Sequence, residues 1–225
     1  MVISPAQFID HTLLRADTTE TEVVQLCEAA VECGFASVCI PPCHVASAAQ
    51  QLYGSDVAVG TVIGFPLGNQ TTETKVFEVR QAIDLGADEL DMVIRLDAAR
   101  SGDFDSVLED VRRVVTAADT AIVKVIIECC LFEEAQKRKL TEIVVRGGAD
   151  YVKTSTGFAA SGASVEDVGL LSETAAGRIR VKAAGGIRDW QTCQAMLKAG
   201  ADRIGTSAGV AIVKQWRENS ELSCQ

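Results

Sequence analysis

Short runs of branched aliphatic residues alternate with stretches of helical periodicity from residue 18 onward. TETEVVQLCEAAVECG (19–34) carries apolar positions three and four apart and ends at Gly34, which predicts an amphipathic helix with Thr18 or Thr19 as its N-cap. ASVCIP, VAVGTVIGF, ELDMVI, AIVKVIIE, DYVKTST, RIRVKAA and DRIGTS read as strands. Helices are predicted between them at 43–53, 71–87, 104–118, 133–147, 164–176, 189–199 and 207–217. An eighth strand is available in FIDHTLL, ahead of the first helix.

Alternating strands and helices with short connections specify a parallel sheet. Eight such units close into a single-domain (β/α)8 TIM barrel covering residues 1–225; an open doubly wound sheet is the alternative. The helix-to-strand joints share a pattern, CGFASV, LGADEL, GGADYV and AGADRI, in which a glycine ends the helix in a left-handed cap and the next strand starts at once.

Ionisable residues interrupt several of these runs. Lys124 lies in AIVKVII, Lys153 in DYVKTST, Lys182 in RIRVKAA and Asp91 in ELDMVI. An unpaired buried ammonium costs several kcal/mol, so lysine in a buried strand needs a reason. Taken one at a time, each lysine reads as half of a buried ion pair or as an outward-pointing side chain. Three together near strand ends, beside Asp91, point instead to lysine chemistry in a polar site within the barrel. An amine attacks a carbonyl only when neutral, and bringing a lysine from ~10.4 to ~7 takes about 4–5 kcal/mol of discrimination against its charged form. Burial and a neighbouring cation supply it. Lys153 and Lys182 fall on successive strands, so Lys182 is expected to stay charged and hold Lys153 neutral.

In such barrels function gathers at the C-terminal ends of the strands. Asp10, Glu128, Thr154 and Ser155 fall there, with the turns STGF, AAGGIR and GTSAG after three consecutive late strands. Gly157, Gly185, Gly186, Gly205 and Gly209 let backbone N–H groups approach an anion closely, and a helix starting near Ser207 aims its positive end at the same place. A phosphate ester is the expected ligand.

The net charge of −10 disfavours nucleic acid and anionic membranes as partners. Hydrophobic residues at 48 % and charged residues at 23 % exclude a disordered chain. The eight cysteines lack CxxC spacing and mostly sit in apolar patterns, so they are expected to be reduced and buried, in a reducing compartment. Cys43 in IPPCHV is the exception, a thiol near the mouth, expected to be inert unless an electropositive setting ionises it. Only His11 and His44 are available as imidazole ligands, and no metal is expected. The N-terminus lacks the features of a signal peptide and no apolar stretch suggests a membrane span, so the chain is expected in the cytoplasm.

DHTLL, GFPLG, ELDMVI, VKVIIE, DYVKTSTGF, VKAAGGIR and RIGTSAG together resemble the deoxyribose-phosphate aldolase family, in order and over nearly the whole chain. The resemblance implies a (β/α)8 barrel and a class I aldolase with no metal and no cofactor. Its reaction would be the reversible cleavage of 2-deoxy-D-ribose 5-phosphate to acetaldehyde and D-glyceraldehyde 3-phosphate. It places the Schiff-base lysine at Lys153, the proton-transfer aspartate at Asp91 and the second active-site lysine at Lys182. Lys124, Asp10, Thr12 and Thr154 fall in the implied substrate pocket. Gly157, Gly185, Gly186, Gly205 and Ser207 fall at the implied phosphate site. Relatives are often dimers, so a homodimer is an expectation. The chain departs from the family at Ala208, where a serine is common, at Arg95 and Asp97, and in ECCLF (128–132), which replaces an ETG-type turn. These departures bear on pocket detail and phosphate affinity. The rival readings are a phosphosugar isomerase, another Schiff-base aldolase, and a noncatalytic phosphosugar-binding barrel.

Overall fold

The Thr19 hydroxyl accepts the Glu22 N–H, and the Glu22 carboxylate accepts the Thr19 N–H in return. This reciprocal cap starts α1 (Glu20–Cys33) and selects Thr19 over Thr18. Eight strand–helix units of this kind follow one another in the computed structural model, which describes residues 4–222.

The strands are β1 (Ile9–Thr12), β2 (Ser37–Ile40), β3 (Ala58–Ile63), β4 (Glu89–Val93), β5 (Ile122–Ile126), β6 (Tyr151–Lys153), β7 (Arg180–Ala184) and β8 (Arg203–Thr206). All pair in parallel and in chain order, and β8 returns to β1 to close the barrel, which excludes the open sheet. The eighth strand is the one taken from FIDHTLL. The remaining helices are α2 (Val45–Gln51), α3 (Thr72–Asp84), α4 (Leu96–Ser101), α5 (Phe104–Ala118), α6 (Glu134–Gly147), α7 (Val165–Ala175), α8 (Trp190–Lys198) and α9 (Gly209–Leu222). Some elements differ from the sequence reading. The helix expected over 43–53 begins as a separate 3-10 turn at Pro42–His44, because consecutive prolines delay the α-helix. The six-residue α4 is unanticipated; it is too short to show a period and is stopped by Gly102 in the left-handed conformation. The joint glycines Gly34, Gly86, Gly148 and Gly200 all have positive φ, as the shared motif requires.

Strand side chains alternate between two environments. Val38, Leu90, Met92, Val123, Val125, Val152, Val181 and Ile204 pack with the helices in one apolar core. The opposite positions point into the barrel, where Asp10, Glu89, Asp91, Lys124, Lys153, Lys182 and Arg203 are all buried. A barrel of this type ordinarily fills that space with branched aliphatics. This one fills much of it with charge. Among the described residues no helix is long and apolar enough to cross a membrane.

Candidate active site

Lys153 of β6 and Lys182 of β7 are register partners, and Asp91 of β4 is the partner of Lys124 on β5. The same carboxylate oxygen, Asp91 Oδ2, accepts from Lys153 Nζ at 2.7 Å and from Lys182 Nζ at 2.6 Å. The two ammonium positions are therefore neighbours on one face of the wall. Asp91 Oδ1 accepts from Lys124 Nζ at 3.0 Å.

Below this cluster the network continues. Lys182 Nζ lies 2.5 Å from Asp10 Oδ2, an ion pair without hydrogen-bond alignment. Lys124 donates to Glu89 at 2.5 Å. Arg203 donates to Asp10 at 2.6 Å and reaches Glu89 at 3.3 Å. Glu89 and Arg203 were missed in the sequence, although each interrupts a strand as Asp91 does and lies two residues from a residue already singled out. Gly205 serves the network by its size: a Cβ there would stand 3.1 Å from Lys182 Cε.

The network places four cationic side chains, Lys124, Lys153, Lys182 and Arg203, against three carboxylates, Asp10, Glu89 and Asp91. One cation has no counter-charge. Burial pushes the Lys153 ammonium down, and although Asp91 opposes that, Lys182 adds repulsion; its pKa is lowered overall. Burial acts in the same sense on Lys182, but Asp10 and Asp91 outweigh it and the pKa is raised. Lys124 is likewise raised, with Asp10, Asp91 and Glu89 overcoming its burial. Desolvation works against the charge on Asp91 too, yet Lys124, Lys153 and Lys182 hold it well below the ordinary carboxylate value. Of the three lysines in the network, Lys153 is the one whose charged form the site disfavours. Burial is the larger influence on it and the cationic neighbour the smaller.

Lys153 is also the member that meets a cavity. A space of about 350 Å³ opens at the C-terminal mouth of the barrel, lined by Lys153, Thr12, Gly157, Gly185, Gly186, Gly205 and Ser207 from the sequence-derived set. Its volume suits a small organic ligand. Gly185 has φ 89°, and a Cβ on it would come within 2.9 Å of Gly162 Cα, so the turn after β7 tolerates no side chain there. Thr206 and Arg188 line the same wall and were not singled out in the sequence. The Ser207 side of the cavity precedes α9, which starts two residues later than expected, at Gly209.

Other sequence-derived positions lie elsewhere. Asp10, Lys124, Asp91 and Lys182 sit beneath the cavity, in the ion network. For Lys124 the ion-pair reading holds: it contacts three carboxylates and does not line the cavity. Thr154 is fully buried, donating to Ala184 O at 3.3 Å and accepting from Ala184 N at 3.1 Å. It bridges β6 to β7, because the residue after an inward-facing lysine faces the other way. Ser155 is buried outside the cavity lining. At the Ala208 departure the backbone N–H is not free for an anion: it donates to Thr206 Oγ1 at 2.9 Å. Arg95 and Asp97 pair with each other at 2.6 Å on the exposed side of α4.

Seven of the eight cysteines are described and none is bridged; Cys224 lies outside the described residues. Cys27, Cys39, Cys129 and Cys193 are buried, Cys33 and Cys130 partly so, and Cys43 is exposed. Burial raises the thiols of Cys27 and Cys39 to about 11 and that of Cys193 to about 12.

Residues 5–215 match the model of the DeoC/LacD family aldolases. A deoxyribose-phosphate aldolase of Syntrophotalea carbinolica is 58 % identical over 97 % of this chain and 99 % of its own length. One from a Geobacillus strain is 55 % identical, covering 96 % of this chain and 97 % of its own. The solved deoxyribose phosphate aldolase of Aeropyrum pernix, described as a tetramer, superposes with a TM-score of 0.90 at 34 % identity, over 95 % of this chain and 91 % of that one. A buried lysine pair on one aspartate, with one of the two lysines lining a cavity at the mouth of a closed barrel, thus occurs in a sequence matched along nearly its whole length by these enzymes, and the chain belongs to the DeoC/LacD aldolase family.

Proposed function

We propose that the chain reversibly cleaves 2-deoxy-D-ribose 5-phosphate to acetaldehyde and D-glyceraldehyde 3-phosphate through an imine on Lys153. The observation that carries this reading is the uncompensated cation of the barrel network, which falls on the one lysine that meets the cavity. The names of the similar enzymes supply the substrate.

Neutral Lys153 Nζ attacks C1 of the open-chain sugar phosphate, and the carbinolamine loses water to give a protonated imine. The C3 hydroxyl gives up its proton, the C2–C3 electron pair moves into the imine, and C3 leaves as the aldehyde of glyceraldehyde 3-phosphate. The enamine takes a proton at C2, and hydrolysis releases acetaldehyde and the free amine. Asp91, ionised and shared between Lys153 and Lys182, is placed to move these protons through water. The turns at Gly157, Gly185, Gly186 and Ser207 hold the phosphate end, so that binding far from the reacting bond positions it. Lys124 and Arg203 fix the carboxylates from below.

Nucleoside catabolism in the cytoplasm is the setting this reaction and the unbridged thiols support. A homodimer remains the proposed assembly, beside the tetramer described for the Aeropyrum pernix relative.

Incubation with acetaldehyde, borohydride reduction and peptide mass mapping test the proposal. Ethylation confined to Lys153 is the expected result. Absence of any adduct would leave the isomerase or the binding barrel. Adduct formation with dihydroxyacetone phosphate in place of acetaldehyde would assign another Schiff-base aldolase.

A further inference from the structure

Glu128, just past the end of β5, has φ 53° and ψ 67°, in the left-handed region that residues with a Cβ avoid. Its side chain is buried, at 2 % exposure, and no lysine or arginine lies within ion-pairing distance among the described residues. A strained backbone and a buried carboxylate without a counter-charge both oppose folding.

What Glu128 does hold is a loop on the next unit of the barrel. The Thr156 N–H donates to Oε1 and Oε2, each at 3.3 Å, and the Thr156 hydroxyl donates to Oε2. The same hydroxyl accepts the Phe158 N–H at 3.1 Å. One carboxylate therefore fixes Thr156, Gly157 and Phe158, three consecutive residues of the cavity wall. The Phe158 ring, 56 % exposed, meets Phe65 edge-on with centroids 5.3 Å apart. Phe65 follows β3 and Phe158 follows β6, so their contact runs across the mouth.

We infer that Glu128 is a positioning residue for the phosphate-bearing half of the substrate: it aims Gly157 and Phe158 at that half through Thr156. The inference rests on the aldolase reading proposed above. Glu128 touches neither Lys153 nor Asp91 through any hydrogen bond of the site, so its loss should act on binding of the phosphorylated sugar and spare imine formation.

The test compares wild type, Glu128→Ala and Glu128→Gln on 2-deoxyribose 5-phosphate and on unphosphorylated 2-deoxyribose, with Lys153 ethylation by acetaldehyde measured in each. For Glu128→Ala, KM for the phosphate ester should rise about tenfold, the effect of losing roughly one well-placed hydrogen bond. On 2-deoxyribose, kcat/KM should change by less than about twofold, as expected of a residue that acts only on the phosphate end. Glu128→Gln, which keeps one amide oxygen as acceptor, should recover most of the loss. An equal fall on both sugars, or no change on either, overturns the inference. If Glu128→Ala does not fold, Thr156→Val removes the hydroxyl part of the same link, leaves the backbone N–H contacts, and must show the same selectivity in weaker form. A wild type that ethylates no lysine would sink the aldolase reading itself, whereas normal ethylation with no selective effect sinks only the role of Glu128.

Discussion

Lys182→Met removes one of four cations from a ring that holds three carboxylates. The remaining three cations then balance the three carboxylates only if Lys153 is protonated. Lys153 and Lys182 Nζ share Asp91 Oδ2, at 2.7 Å and 2.6 Å, so the repulsion removed is a short-range one. Two unit charges about 4 Å apart interact by about 4 kcal/mol at an effective dielectric constant of ~20, equivalent to roughly three pH units. Asp91 lies between them and offsets part of this, so the Lys153 pKa should rise by about 1–3 units.

The assay is the pH dependence of Lys153 ethylation by acetaldehyde in the presence of cyanoborohydride, read by peptide mass. Imine formation reports the amine alone, whereas turnover would also register any proton transfer by Lys182. In the wild type the rate should rise with pH through a midpoint below the ordinary lysine value of 10.5. In Lys182→Met that midpoint should move upward by the same ~1–3 units, with the rate near neutral pH falling ~10–1000-fold and returning in alkali. Lys182→Arg keeps the charge and should keep the wild-type midpoint. A folded Lys182→Met protein whose midpoint is unchanged or lower would refute the charge-imbalance account.

Lys75 on α3 and Asp110 on α5 form a second fully buried pair at 2.6 Å, outside the barrel wall. Lys75→Met should cost about 3–5 kcal/mol in urea unfolding by leaving Asp110 uncompensated, while adding Asp110→Leu should restore most of that; equal losses in single and double variants would refute it. Asp10 and Asp91 are both held below the ordinary carboxylate value of 3.8, so the unfolded chain takes up their protons first. Their contribution is complete above that value and is lost as pH falls below it, with a slope of about 1.4 kcal/mol per pH unit for each carboxylate; a flat urea midpoint over that acid range would contradict it. Iodoacetamide should label exposed Cys43 well before Cys27, Cys39, Cys129 or Cys193, which peptide mass mapping can order.

The barrel was readable because the aliphatic runs are short, evenly spaced and separated by helix stops. Lys124, Lys153, Lys182 and Asp91 were readable as interruptions of those runs. Glu89 and Arg203 carried the same signal, but each stands at the first position of its strand, where a polar residue looks like the preceding turn. Lys75 and Asp110 gave no signal: both lie on helices with a polar face, and only the packing of α3 against α5 decides that these two positions are buried. Thr154 falls at a strand end among the other polar residues, but alternation along the strand turns it toward the Ala184 backbone. Glu128 stood out as a carboxylate at a strand end, but its partner is 28 residues away and its φ is not encoded by any neighbouring glycine or proline.

The barrel interior separates what stabilises the fold from what makes the site reactive. Replacing a buried ion network by aliphatics of similar volume is often neutral or stabilising by about 1–4 kcal/mol, so these seven charged residues are poor candidates for a purely structural role. A balanced network would also hold every proton firmly. With one cation in excess, the proton lost most readily is the one whose loss is opposed by the fewest carboxylates. Lys124, Lys182 and Arg203 lie under the cavity, each in contact with at least two carboxylates. Lys153 stands at the cavity floor with Asp91 alone, and shares that carboxylate with Lys182. The group left with the least counter-charge is the one that lines the cavity.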